Sequence, residues 1–389
     1  MTSDPLSFRT RAVHVGSEVD PATGAVIPPI HFATTFRQPG AGVWGDFDYS
    51  RSGNPTRTAL QSTLASLEGG VGSLAFSTGM AAIHAVTMLL SPGDMILAGS
   101  DIYGGAYRLF HKICDRAGVG VSLVDFTDTD AIGAAIRPET KLLWGETIGN
   151  PQMSVLDLQA IARLAQGAGV LFGVDNTFGT PALLRPLEHD VDIVMHSATK
   201  YLGGHSDCLG GTLAVRDPTL YERLYYIQNA TGAVLDPMSC FLLSRGIKTL
   251  DLRIRAQSDT AMRLALWLQE HPLVSRVLYP GLSEHPGHAL AAQLMGEHFG
   301  GVLTFEFKGD KAHTAAVCQS TQLFCLAVSL GAVESLIEQP ATMSHASYDA
   351  ADRARFGISD GLIRLSVGLE SFEDLRDDLQ AAISAAAAG

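Results

Sequence analysis

Between about Gly72 and Val215, short apolar runs alternate with helical or turn-rich stretches. The runs at 73–76, 95–98, 119–124, 141–144, 170–174, 192–196 and 212–215 read as strands, and their alternation with helical patterns predicts a mostly parallel α/β sheet of seven strands. The long apolar stretch from about Leu74 to Leu90 carries Ser77, Thr78, Gly79, His84 and Thr87, so it reads as a strand, a turn and a buried helix rather than a membrane span. Beyond about Arg253 the pattern changes. A helix is predicted over 256–270, ending before Pro272, and residues 302–307 alternate apolar and polar side chains as a half-buried antiparallel strand would. A smaller C-terminal α+β domain is the economical reading.

Residues up to about Arg51 show no sustained period and carry Pro21, Pro28, Pro29 and Pro39, which predicts an extended arm. A bounded helix follows it. Asn54 suits the cap, Pro55 the first turn and Gly69-Gly70 the end, while Leu60, Leu64 and Leu67 recur at helical spacing. The expected division is an arm over 1–52, a large domain over 53–252 and a C-terminal domain over 253–389. The alanine-rich end from about Ala381 reads as a helix terminus.

Composition narrows the function. The chain has 389 residues, 46% of them hydrophobic, enough for two domains with sizeable cores. A net charge of −13 without a basic run argues against nucleic-acid binding, which needs a clustered cationic face. Five scattered cysteines without CxxC spacing suit a reducing cytoplasm better than a disulfide framework or a zinc site. The start, Met1-Thr2-Ser3-Asp4-Pro5, lacks a cationic segment followed by an apolar one, so no secretory leader is expected. The histidines show no metal-ligand spacing, and His196 and His205 read as loop residues flanking a lysine. No metal is inferred.

That lysine is Lys200, in Ser197-Ala198-Thr199-Lys200-Tyr201, with Asp175 closing the preceding strand. Taken singly, Asp175 reads as a turn or cap and Lys200 as solvated surface. In an open α/β sheet, however, residues beyond neighbouring strand ends face one ligand crevice. Pyridoxal phosphate (PLP) needs both groups: a lysine for its Schiff base, and an acid to keep its ring nitrogen protonated. The strand-to-helix turn Phe76-Ser77-Thr78-Gly79-Met80 offers a helix N-terminus for a phosphate. Tyr49 and Arg51, in the arm, are candidates for a phosphate contact made in a neighbour's pocket. Tyr103 is suited to stacking on a flat ring. Glu146 and Asn150 are candidates for bonds to the ring oxygen or the substrate. Arg364, between apolar residues, needs a buried partner, which is either a substrate carboxylate or a structural acid.

The strings Tyr49-Ser-Arg-Ser-Gly-Asn-Pro-Thr56, Asp175-Asn-Thr-Phe178, His196-Ser-Ala-Thr-Lys-Tyr201, Gly204-His-Ser-Asp207, Arg245-Gly-Ile-Lys-Thr249 and Leu362-Ile-Arg-Leu-Ser-Val-Gly-Leu-Glu370 resemble the Cys/Met-metabolism family of PLP enzymes across nearly the whole chain. The resemblance implies the aspartate-aminotransferase-like PLP fold (fold type I), PLP as cofactor, a sulfur amino-acid substrate, and a homotetramer built from dimers with shared sites. It makes Lys200 the Schiff-base lysine, Asp175 (with Thr177) the ring-nitrogen partner and Tyr103 the stacking tyrosine. Thr78, Gly79, Met80, Ser197 and Thr199 become the phosphate cup, completed by Tyr49 and Arg51 of an adjacent subunit. Asn150, Ser329 and Arg364 become the substrate-carboxylate set, and Arg108 lies near the substrate's distal end. Gly105 stands where methionine γ-lyases resemble one another in having cysteine. Val328 stands where many γ-lyases and γ-synthases have a glutamate for the distal amino group. The chain also resembles bacterial cystathionine lyases, and cystathionine β-lyase is the expected activity. Cystathionine γ-lyase, cystathionine γ-synthase and O-acetylhomoserine sulfhydrylase are the alternatives.

Overall fold

Every apolar run predicted as a strand overlaps a strand of one seven-stranded sheet in a computed structural model, which describes residues 6–346, 348 and 350–388. The expectation about residues 1–5 lies outside the described residues. The strands are β1 (Gly72–Phe76), β2 (Met95–Gly99), β3 (Gly120–Val124), β4 (Thr140–Glu146), β5 (Leu171–Asp175), β6 (Ile193–Ser197) and β7 (Gly211–Val215). Their spatial order is β1-β7-β6-β5-β4-β2-β3, with β7 antiparallel to both neighbours and the remaining pairs parallel. Helices cover both faces, so inner strands such as β7 are buried at every position and show no alternation. No helix among the described residues is long and apolar enough to cross a membrane.

The smaller sheet contains β8 (Val274–Leu278), β9 (Val302–Phe307), β10 (Cys325–Leu326), β11 (Leu336–Glu338) and β12 (Leu362–Ser366), in the order β10-β11-β12-β9-β8. Strand β9 is antiparallel to both neighbours, as predicted, but it is not half-buried: only Glu306 reaches intermediate exposure. Thr304, read as an outward polar position, is buried because its hydroxyl donates to the Pro151 carbonyl at 2.9 Å. The larger unit thus covers that face of the smaller sheet.

The arm is better fastened than its composition suggests. It includes a short helix, α1 (Phe8–His14), which buries Ala12 and bonds through Arg11 to the Ser66 carbonyl. The helix it packs on, α2 (Pro55–Glu68), has the predicted bounds: the Asn54 side chain accepts from the Thr56 and Arg57 N–H groups, and Gly69 closes it in the left-handed region. Two further helices, α3 (Gly79–Thr87) and α4 (Gly104–Arg108), start beyond β1 and β2 and lead into the site. The helix predicted over 256–270 is longer, α5 (Leu250–Gln269), because its charged start is satisfied by burial and pairing. Asp251 takes Arg255 at 2.9 Å and also Arg9 of the arm. Arg253 donates to the carbonyls of Tyr201 and Gly246, each at 2.9 Å, locking the turn after Lys200. Gly204 in that turn has φ +73°, and a Cβ there would lie 2.2 Å from the Arg253 guanidinium.

His196 is not a loop residue. It sits in β6, buried, and pairs with the equally buried Glu68 of α2. Sequence reading missed this pair because its members are 128 positions apart. Removing one member strands the other in the core. Glu68→Ala is therefore expected to lower unfolding free energy by about 2 kcal/mol or more. Guanidinium titration followed by far-UV circular dichroism checks this, and an unchanged midpoint would contradict it.

Candidate active site

A cavity of about 400 Å³ opens beyond the carboxyl ends of the large sheet's parallel strands and is closed on its other side by residues of the smaller unit. Three strand ends place its acids and hydroxyls. Glu146 ends β4 and faces Asp175 across the β4/β5 register, while Ser197 ends β6. Asp175 Oδ1 accepts from the Thr177 N–H at 2.9 Å and the Thr177 hydroxyl at 2.5 Å. The same hydroxyl oxygen accepts from the Ser197 N–H at 2.8 Å, so Thr177 ties the ends of β5 and β6 together. Burial raises the Asp175 carboxyl above its ordinary range, against the pull of the Thr177 bonds. A cation set against this acid would reverse that penalty.

Lys200 lies on the turn after β6, with its amine donating to Ser329 Oγ at 2.6 Å. Burial first, and then the charge of Arg364, push this amine down to about 8. Ser329 itself has φ +119°, a conformation that side chains other than hydrogen disfavour. Arg364 holds it there by donating to the Ser329 carbonyl at 2.7 Å.

Arg364, in β12, is the buried arginine that the sequence predicted, and its internal partner is Glu338. The two lie opposite one another in the β11/β12 register, 3.1 Å apart and almost fully buried. The guanidinium also donates to Asn150 Oδ1 at 3.0 Å. Sequence reading missed Glu338, which follows only two apolar residues, Leu336-Ile337, and precedes Gln339-Pro340. Ser344 and His345 behind it carried no signal either.

The phosphate-cup candidates meet at the start of α3. Thr78 is its N-cap, accepting from the Ala81 N–H at 3.0 Å, and the first-turn N–H groups face outward as helix N-termini do. A Cβ on Gly79 would stand 2.9 Å from Met195 Cε and 3.3 Å from Ser197 Oγ, so only glycine lets the helix start this close to β6. Met80, Ser197 and Thr199 line the same end of the cavity, and Thr199 Oγ1 is fixed by the Gly210 N–H at 3.1 Å. Tyr103 caps α4, which also carries Arg108 into the cavity. Glu146 lines the cavity, and its Oε1 accepts the Tyr103 backbone N–H. Burial raises the Glu146 carboxyl well above the usual range, and neighbouring Asp175 raises it further. Gly105 adjoins the tyrosine closely: a Cβ there would fall 2.2 Å from Tyr103 Cε1. Val328 lines the cavity although it is 57% exposed, which places it at the mouth.

Tyr49 and Arg51 are not brought into this chain's cavity. Arg51 lies 5.4 Å from the Tyr49 ring centroid and donates to Asn229 at 3.3 Å, on an exposed surface. The remaining set fits PLP chemically: an amine of lowered basicity, a buried acid of raised proton affinity, a helix N-terminus ringed by hydroxyls, and an aromatic side chain.

The comparisons with known proteins agree with this fit. A family model described as "Cys/Met metabolism PLP-dependent enzyme" matches residues 9–384. A protein of Coxiella burnetii named cystathionine beta-lyase is 49% identical, over 96% of this chain and 97% of its own. A Bacillus subtilis protein named cystathionine gamma-lyase is 47% identical, over 97% of this chain and 99% of its own. Among solved structures, cystathionine gamma synthase from Xanthomonas oryzae pv. oryzae in complex with cystathionine superimposes with a TM-score of 0.96 at 44% identity, covering 99% of this chain and 100% of that one. The chain belongs to the Cys/Met metabolism family of PLP-dependent enzymes.

Proposed function

We propose that this enzyme is a cystathionine β-lyase, converting cystathionine and water to homocysteine, pyruvate and ammonia. The observation that carries the choice is Val328. An apolar side chain stands at the cavity mouth, where a carboxylate would be needed to hold the distal amino group for γ-chemistry. Gly105 bears only on methionine γ-lyase, since a cysteine at that position would force the Tyr103 ring to move. A γ-lyase or γ-synthase reading has its support in relatives of nearly equal identity bearing those names. Methionine γ-lyase, with Gly105 in place of cysteine, has less.

Bound PLP supplies an electron sink for the charge left on the substrate's Cα. Lys200 would tether the cofactor, and its amine, lowered to about 8, would take the Cα proton of the substrate. Asp175 keeps the ring nitrogen charged, held to that task by Thr177. Tyr103 would cover a ring face, and the α3 N-terminus with Ser197 and Thr199 would hold the phosphate. Arg364, with Asn150 and Ser329, orients the substrate carboxylate so that the Cα–H bond faces Lys200. With no acceptor from Val328, the distal end stays unclamped and thiolate departs from Cβ.

Tyr49 and Arg51 complete the phosphate cup of a neighbouring subunit in a homotetramer. Supporting this, the arm exposes Val26, Phe32 and Trp44 at 78%, 62% and 72%, apolar surface that a second subunit would cover. A cytoplasmic setting suits the five free cysteines, four of them buried.

Lys200→Ala is expected to lower turnover by about a thousandfold or more and to remove the visible absorbance of the lysine-bound cofactor. Near-normal pyruvate formation would refute the assignment. Because only the neutral amine accepts a proton, kcat should rise with pH and level off above about 8; a profile flat through that region would place the base elsewhere. Val328→Glu should shift products from pyruvate towards α-ketobutyrate, read by chromatography of the keto acids. An unchanged product ratio would remove position 328 as the determinant.

A further inference from the structure

Beside the Arg364 guanidinium runs a closed ring of polar groups, all buried except Ser344, which is half-buried and lines the cavity. Glu338 Oε1 faces Arg364 Nη1 at 3.1 Å and accepts the Ser344 hydroxyl at 2.6 Å. Ser344 Oγ lies 2.9 Å from His345 Nδ1, and His345 Nε2 lies 3.0 Å from the Asn150 carbonyl oxygen. Asn150 Oδ1 returns to Arg364 at 3.0 Å.

Counting protons around this ring exposes a deficit. A carbonyl oxygen only accepts, so His345 Nε2 carries a proton and donates it to Asn150. The Ser344 hydroxyl has one proton and two short contacts. If it donates to Glu338, Oγ and Nδ1 meet as two lone pairs. If it donates to His345, two oxygens 2.6 Å apart face each other without a proton. Glu338 Oε2 is also buried without a hydrogen-bond partner among the described residues. Ser344 is half-buried at the cavity wall, but Glu338 and His345 are each 1% exposed, and the 2.6 and 2.9 Å contacts leave no room for a water between the partners.

Burial and charge together keep the position empty. Burial first, and then Arg364, hold the His345 imidazole down to about 4. The groups facing it are Arg364 from β12, Glu338 from β11 through Ser344, and the Tyr348 ring at 5.3 Å. Lys200 and Cys318 in turn feel Glu338; burial pushes the Cys318 thiol up to about 12, so it stays neutral.

We propose that docking of the substrate's α-carboxylate against Arg364 draws one proton onto the Glu338–Ser344–His345 chain, making substrate binding a proton-uptake reaction. This rests on the reading of Arg364 as the carboxylate clamp. A second anion beside Arg364 cancels the charge that disfavours the imidazolium and leaves the buried cluster negative. A proton shared between Nδ1 and Oγ restores both the charge balance and the missing hydrogen bond. His345 is then a positioning residue, acting on the clamp from behind. Because binding raises the chain's proton affinity, ligand affinity weakens as pH rises through the window between the free and bound values, by up to about tenfold per pH unit, and is flat above it.

The test is calorimetric titration of the holoenzyme near neutral pH with methylthiobutyrate, an amine-free thioether carboxylate, in two buffers of different ionisation enthalpy. Uptake of about one proton per site is expected, and its loss in both His345→Gln and Ser344→Ala. Binding without proton exchange in the unmodified enzyme overturns the proposal. So does uptake that survives in both variants with a matching change in the cofactor's visible band, which would locate the proton at Lys200. Should His345→Gln fail to fold, Ser344→Ala and the unmodified enzyme still decide the matter. Arg364→Ala binding the ligand as tightly as the unmodified enzyme would instead remove the clamp reading itself, a separate failure.

Discussion

Arg364 is the interaction on which the geometry of the cavity depends. Its guanidinium joins β12 to the Asn150 loop, to Glu338 in β11 and to the Ser329 carbonyl. The last contact matters most for chemistry, because Ser329 receives the Lys200 amine and sits at φ +119°. A non-glycine residue stays in that region only when its surroundings over-determine it. Here one buried arginine supplies the restraint, so the position of the Lys200 amine in the large unit is set by a strand of the small one.

That dependence explains what could and could not be read along the chain. The seven strands of the large sheet were legible because strands covered on both faces leave unbroken apolar runs. Lys200 and Asp175 were legible because strand ends in such a sheet converge on one crevice, which holds the candidates from Thr78 to Ser197 together. Pairings between distant segments were not. Helix α5 starts earlier than its apolar period suggests because Asp251 and Arg253 are satisfied by Arg9 and by the Tyr201 carbonyl, contacts invisible to periodicity. His196 passed as a loop residue for want of Glu68, and Thr304 as solvent-facing for want of the Pro151 carbonyl. Each miss is a polar residue whose partner lies far away in sequence.

Glu146 shows the same effect inside the site. Its position after β4 suggested a group for the cofactor or substrate, and in the cavity wall its Oε1 also accepts the Tyr103 backbone N–H. It therefore acts on the aromatic side chain through the start of α4, whose next residue, Gly105, leaves no room for a Cβ beside that ring. The pose of Tyr103 is thus fixed by an acid on one side and by the absence of a side chain on the other. Val328, exposed at the cavity mouth, is under no such constraint among the described residues.

The electrostatics of the cavity point the same way. Burial raises Asp175 and Glu146 and lowers Lys200, so all three are pushed towards neutrality. Water alone does not relieve groups held in this way. A ligand that brings a cation to Asp175 and engages the Lys200 amine does, while its phosphate meets the α3 N-terminus. Desolvation that would count against stability in an ordinary core is here the source of affinity and of a usable base, because the penalty is released when the cofactor binds and not before.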